Sequence, residues 1–245
     1  RDVAPSRGLG DVYKRQIYDR GPGAHIIMDT LCDYHNFDIQ WGNHDILWMG
    51  AACGSESCIA NVLRNNIKYG NMEILENSYG ISLRSLILFA EKLYPDLTPM
   101  KAALKAISII LFKLEGQIIM RHSEYNMDDR LLLDKMDLGK GTVCIEGQEY
   151  DLNDTYFPTI DFKQPYVLSE EEQKVMEDLR ASFRNSHVLR DHVEFLYEKG
   201  SIYRVYNGNL LFHGCIPLDE NGNLDGIQIG EKFYCGKEYM LSLIH

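Results

Sequence analysis

Two short polar loops constrain this chain more than any other feature. Asp19-Arg20-Gly21-Pro22-Gly23 follows the apolar pair Ile17-Tyr18, and Gly42-Asn43-His44-Asp45 follows the alternating run Phe37-Asp38-Ile39-Gln40-Trp41. From Arg20 to Asn43 is 43 − 20 = 23 residues, room for one helix and one strand. The helix is expected on the apolar spacing of Ile26, Ile27 and Leu31, with Pro22 in its first turn, and a second helix over Ile46 to Ala52. This order begins a βαβ unit, and open α/β sheets bind ligands beyond the carboxyl ends of their strands. Singly, each loop is also an ordinary turn composition. In this order and spacing, a carboxylate, a guanidinium, an amide and an imidazole can converge to bind a metal, grip a phosphoryl oxygen and donate a proton.

Further along, the stretch from about Ser57 to His122 is helical by periodicity, with Pro95 and Pro99 ahead of an apolar helix over Lys101 to Leu114. Thr142 to Ile145 and Gln148 to Leu152 form a hairpin about Glu146-Gly147. Ser169-Glu170-Glu171-Glu172 is a capping box that opens a helix towards Ser186, its acids opposing the helix dipole, and a further helix ends at Gly200. Ile202 to Tyr206 and Leu210 to Phe212 pair about Asn207-Gly208-Asn209. His213 then stands at a strand end before Gly214, where it reads equally as a metal ligand or a satisfied core residue. His187 and His192, beside Arg190 and Asp191, lack a His-Glu-x-x-His pattern and are expected on a solvated face.

Composition removes several function classes. Lys+Arg minus Asp+Glu is 25 − 36 = −11, which disfavours a nucleic-acid backbone as partner. Apolar stretches such as Ser85 to Ala90 and Ile107 to Phe112 fall short of the ~18 residues of a membrane span. The six cysteines, at 32, 53, 58, 144, 215 and 235, form no CxxC and no even framework. Free thiols in a reducing, cytoplasmic setting are expected, with Cys53 and Cys58 packed.

The two loops, with Phe212-His213-Gly214-Cys215-Ile216-Pro217-Leu218-Asp219, resemble the calcineurin-like metallophosphoesterases. The flanking Gly23-Ala24-His25-Ile26-Ile27-Met28-Asp29 and Leu47-Trp48-Met49-Gly50-Ala51-Ala52 resemble the bacterial class III fructose-1,6-bisphosphatases. The resemblance implies an α/β fold: a β-sandwich flanked by helices, incomplete here, with a large helical insertion at about 57–200. It also implies hydrolysis of fructose 1,6-bisphosphate to fructose 6-phosphate by a hydroxide held between two divalent metal ions, manganese in this branch. In that scheme Asn43 and His213 are metal ligands, and Asn43 also faces the phosphate. His44 protonates the leaving oxygen, Asp19 orients His44, and Arg20 clamps phosphate oxygens. Rival readings are another calcineurin-like phosphatase, acting on phosphoproteins or dinucleoside polyphosphates, and a non-catalytic chain.

The chain also departs from the family pattern. An upstream Asp-x-His, a Gly-Asp three residues before Asp19 and a late Gly-His-x-His are absent in place, and Asp11 of Gly10-Asp11 lies eight residues before Asp19. Residues 1–16 and 241–245 resemble translated adapter sequence, so residues 17 to about 240 are expected to be an internal piece of a longer enzyme. With most of the metal ligands missing, catalytic silence of the chain as written is the corresponding expectation.

Overall fold

The structure is a computed structural model, and it describes residues 17–19, 21–34, 37–214 and 216–242. Helix α1 (Ala24–Cys32) is followed by the short strand β1 (Ile39–Gln40) and helix α2 (Asn43–Ala52). Then come α3 (Glu56–Tyr69), a π-helical turn at Ile74–Ser78, α4 (Arg84–Leu93) and α5 (Pro99–Arg121). Strands β2 (Met136–Asp137), β3 (Thr142–Ile145) and β4 (Gln148–Asp151) form a small antiparallel sheet. Helices α6 (Glu170–Asn185) and α7 (His187–Lys199) lead into β5 (Gly200–Ser201). The hairpins β6 (Tyr203–Tyr206) with β7 (Asn209–Phe212) and β8 (Gly226–Ile229) with β9 (Lys232–Cys235) precede α8 (Gly236–Ser242).

The core lies among the helices. Ile59 and Leu63 of α3, Leu86 of α4, Ile107 and Ile110 of α5 and Leu179 of α6 are completely buried together. Pro99 occupies the first turn of α5, where a missing N–H costs nothing, so this helix starts two residues before Lys101. Ser169 caps α6 as its sequence requires: its hydroxyl accepts from Glu172 N–H at 3.2 Å and the Glu172 carboxylate accepts from Ser169 N–H at 2.8 Å. The expected hairpins form at Glu146-Gly147 and Asn207-Gly208, with all four central residues at positive φ, as the right-handed strand twist favours.

Several expectations need correction. The mixed α/β character holds, with the described strands paired in sheets of two or three. Among the described residues β1 pairs in parallel with β5, in the register Ile39–Gly200 and Gln40–Ser201. The strand expected over residues 37–41 is therefore two residues long, and its partner β5 went unread because Gly200 reads only as a helix end. Gly200 is required there by close approach: a Cβ would meet Trp41 Nε1 at 2.0 Å and the Leu196 carbonyl oxygen at 2.6 Å. The same indole N–H donates to that carbonyl at 3.0 Å and ties β1 to α7.

Pro22 lies before the Gly23 cap rather than inside α1, and the buried face of α1 is Ala24 and Met28, with Ile26 and Ile27 exposed. Cys53 is exposed and Cys58 half-buried, so neither is a fully packed thiol; all five described cysteines are free. His192 is buried rather than solvated. Glu172 does more than oppose the dipole, because it forms a buried ion pair with Lys113 at 2.7 Å. No described helix is long and apolar enough to cross a membrane.

Candidate active site

The two loops meet at the start of α2. The sequence places the helix from Ile46, but it begins at Asn43, immediately after an extended Gly42. The cause is Asp45, whose carboxylate accepts from Gly42 N–H at 2.9 Å and satisfies a donor that the first helical turn leaves open. Its other oxygen accepts from Tyr18 N–H at 3.1 Å, so one buried side chain clamps the two loops together. Burial pushes the Asp45 carboxyl above its usual range, against the N–H groups of Gly42, Tyr18 and Ile17 and the nearby His213, which pull it down. This clamp was missed in the sequence, where an Asp at the third helical position was the available signal.

Asn43 and His44 therefore sit in the first turn of a helix, where free N–H groups and the positive end of the dipole attract anions. His44 Nε2 lies 3.5 Å from Asp19 Oδ1, and both side chains are partly open to solvent. The loop after β7 brings His213 to the same place, with Nε2 at 3.3 Å from Asn43 Oδ1. Asp19 is thus beside His44 and His213 beside Asn43, the residue preceding His44, and Arg20 lies outside the described residues. Beside Asp19 and His44 lies a small recess with room for about one water molecule, lined also by Tyr18, Leu47, Trp48, Val62, Asn65, Asn66 and Asn71.

A polar chain, buried except for Asp29 at its outer end, supports this floor. The Tyr18 ring stacks on Trp48 at 4.9 Å, and its hydroxyl meets Tyr79 Oη at 2.9 Å. Tyr79 Oη is 3.1 Å from His192 Nδ1, and His192 Nε2 is 2.9 Å from Asp29 Oδ1. An ionised Asp29 only accepts, so with a neutral imidazole Nε2–H donates to it, Nδ1 accepts from Tyr79, and Tyr79 accepts from Tyr18. Burial raises both phenols, Tyr18 well above its ordinary range, which keeps them protonated as this order requires. Tyr79 follows the π-helical turn and His192 comes from α7. The helices between the two site loops and His213 thus reach directly under Tyr18.

A two-manganese centre is not complete in this set. Asn43 Oδ1 and His213 Nε2 are two donors, and among the described residues no group of three or more His, Cys, Asp or Glu side chains is placed to hold a metal ion. A catalytic ion typically takes about three protein ligands. The described residues therefore do not fit two ions.

Comparison with known proteins agrees with the motif reading. A 50% identical protein of Clostridium beijerinckii, a class 3 fructose-1,6-bisphosphatase, covers 95% of this chain. Proteins of the same description from Clostridium novyi and Bacteroides fragilis are 51% and 50% identical over 91% of it. The chain spans little more than a third of these relatives, 37%, 36% and 36% of their lengths. No solved structure matches it. The family model described as Firmicute fructose-1,6-bisphosphatase matches residues 10–243, somewhat wider at both ends than the 17 to about 240 that the motifs suggest. With the family model and these relatives matching nearly its whole length, the chain belongs to the Firmicute fructose-1,6-bisphosphatase family.

Proposed function

We propose that this chain carries the phosphate-binding and proton-donating part of a fructose 1,6-bisphosphate hydrolase. The observation that carries the reading is His44 at the N-terminal turn of α2, with its Nε2 3.5 Å from Asp19 Oδ1. A phosphate ester seated at this helix end meets backbone N–H groups and a positive dipole. His44, as the imidazolium, gives its proton to the sugar oxygen as the P–O bond breaks, and Asp19 orients the ring. The Asn43 amide holds a phosphoryl oxygen, and Arg20 grips a second through its planar fork. In this reading the β1–β5 pair belongs to a calcineurin-like sandwich, and Asn43 and His213 are this segment's contribution to a manganese centre. The free thiols go with a cytoplasmic setting.

The test is a chimera in which this chain replaces the corresponding third of the Clostridium beijerinckii relative. We expect phosphate release from fructose 1,6-bisphosphate, and a ~10²- to 10⁴-fold lower kcat in His44→Asn. Aryl phosphates, whose leaving groups need less protonation, should lose less. Equal losses on both substrates would overturn the role of His44. The 245-residue chain alone, incubated with excess manganese, is expected to bind neither ion stoichiometrically and to turn over no substrate. Two tightly bound ions with steady turnover would overturn the incomplete donor set.

A further inference from the structure

The loop that carries Asp19 is gripped on both sides of that residue by one short segment of the helical region. Before Asp19, the Tyr18 hydroxyl meets Tyr79 Oη at 2.9 Å. After it, the Pro22 carbonyl lies 3.0 Å from His25 Nδ1, and the same nitrogen lies 2.9 Å from Ser78 Oγ. A carbonyl only accepts, so Nδ1 carries the hydrogen and shares it between Pro22 and the Ser78 hydroxyl oxygen. The contacts from Ser78 and Tyr79 reach across 53 and 61 residues of sequence. Two adjacent residues thus bracket Asp19.

The gripping segment is itself firmly placed. Ser78 ends the π-helical turn Ile74–Ser78, which Tyr79 N–H closes by donating to the Ile74 carbonyl at 3.2 Å. Such turns are rare and frequently stand at functional sites. Ile74, Leu75 and Tyr79 are buried. The Tyr79 carbonyl accepts from Ser186 Oγ at 2.6 Å, where α6 gives way to α7, and its hydroxyl lies 3.1 Å from His192 Nδ1 of α7. From the other side the Asp45 carboxylate accepts from Tyr18 N–H. Asp19 is carried by this loop and His44 by α2, with Asp19 Oδ1 3.5 Å from His44 Nε2. Their separation therefore depends on how firmly the loop is held.

We propose that Ser78 and Tyr79 are positioning residues for the reaction: by bracketing the loop they keep Asp19 against His44 and hold the imidazole ready for proton transfer. Neither acts on the substrate itself. The assignment rests on the reading of His44 as the proton donor. A misplacement of about 1 Å can cost on the order of 10²-fold in rate, so releasing one of the two grips is felt at the proton-transfer step.

Nuclear magnetic resonance on the full chain, labelled with ¹⁵N, tests the bracket without reference to activity. Tyr79→Phe and Ser78→Ala each remove one hydroxyl, and both should shift the Asp19 amide and the His44 ring signals. If both variants leave Asp19 and His44 as in wild type, the bracket does not hold the loop and the proposal fails, whatever the reaction. In the chimera with the Clostridium beijerinckii relative, Tyr79→Phe should lower kcat for fructose 1,6-bisphosphate about tenfold and that for an aryl phosphate at most about twofold. Ser78→Ala, at a half-buried position, repeats the measurement without opening the core and should show the same bias in smaller measure. Equal losses on both substrates would mark a general loosening of the fold and overturn the positioning role. With Asp19→Asn already present, neither change should cost anything further, because the effect runs through Asp19; losses that multiply would overturn it as well. If the spectra respond as expected but His44→Asn itself shows no bias between the substrates, the proton-donor reading fails and the positioning role falls with it.

Discussion

The interface of α5 with α6 and the start of α2 both bring opposite charges together, and they hold them in opposite ways. Between the helices, Lys113 Nζ meets Glu172 Oε2 at 2.7 Å, with the side chains 0% and 1% exposed. Each makes a further hydrogen bond: Lys113 donates to the Thr159 carbonyl at 2.6 Å, and Glu172 accepts from Ser169 N–H at 2.8 Å. At α2 the His44–Asp19 contact is 3.5 Å long, with side chains 23% and 38% exposed. A buried pair with these further bonds pins two helices in one arrangement and is closed to a ligand. Longer contacts at the mouth of a recess can tighten on one, as catalytic hydrogen bonds do when substrate binds. Under the proposed function, the helical region supports and the loops carry the chemistry.

Removing one partner of the buried pair should produce the largest effect. Lys113→Met leaves the Glu172 carboxylate buried without its cation, and we expect about 3–5 kcal/mol of lost stability in urea unfolding. Adding Glu172→Leu should recover most of it, since a paired apolar replacement removes the stranded charge. A single variant as stable as wild type would show that the two regions do not differ as described.

His192→Leu probes the connection between them. It strands the Tyr79 hydroxyl and removes the partner of Asp29, and a loss of about 1–3 kcal/mol is expected. The cost should shrink in a variant that also carries Tyr79→Phe, because both ends of the broken bond are then gone. Additive losses would mean that the chain does not act as a unit.

The smallest effect is expected at an exposed pair. Asp154 accepts from Lys105 Nζ, which also lies over the Tyr94 ring at 4.4 Å. The hydrogen bond from Lys105, helped by Tyr156 N–H, holds the Asp154 carboxyl below its ordinary value of 3.8. A depressed carboxyl contributes stability above pH 3.8 and loses it as the pH falls through the lower folded value. Asp154→Asn should therefore cost only about 0.5 kcal/mol at neutral pH, because the pair is half open to water, and the gap from wild type should close in acid. A gap that persists below that range would locate the stabilisation in packing rather than charge.

Much of this molecule follows from interactions between near neighbours in sequence, and those were legible. The Ser169–Glu172 capping box, the Glu146-Gly147 and Asn207-Gly208 turns and Pro99 at the head of α5 depend on residues at most a few positions apart. The Asp19 and Asn43 loops also stand out in the sequence, and the structure brings Asp19 to 3.5 Å from His44. Where a buried tertiary partner decides, the linear pattern misleads: α2 starts at Asn43 because Asp45 is held between Gly42 and Tyr18, and Ile26 and Ile27 face outward although their spacing suggests a core. Lys113 finds Glu172 across 59 residues, Trp41 finds Leu196 across 155 and His192 finds Asp29 across 163. Capping and turn geometry are set by backbone covalent reach and so are written locally. Which polar groups are buried together, and whether three asparagines face one recess, is settled only when the helices pack and exclude water.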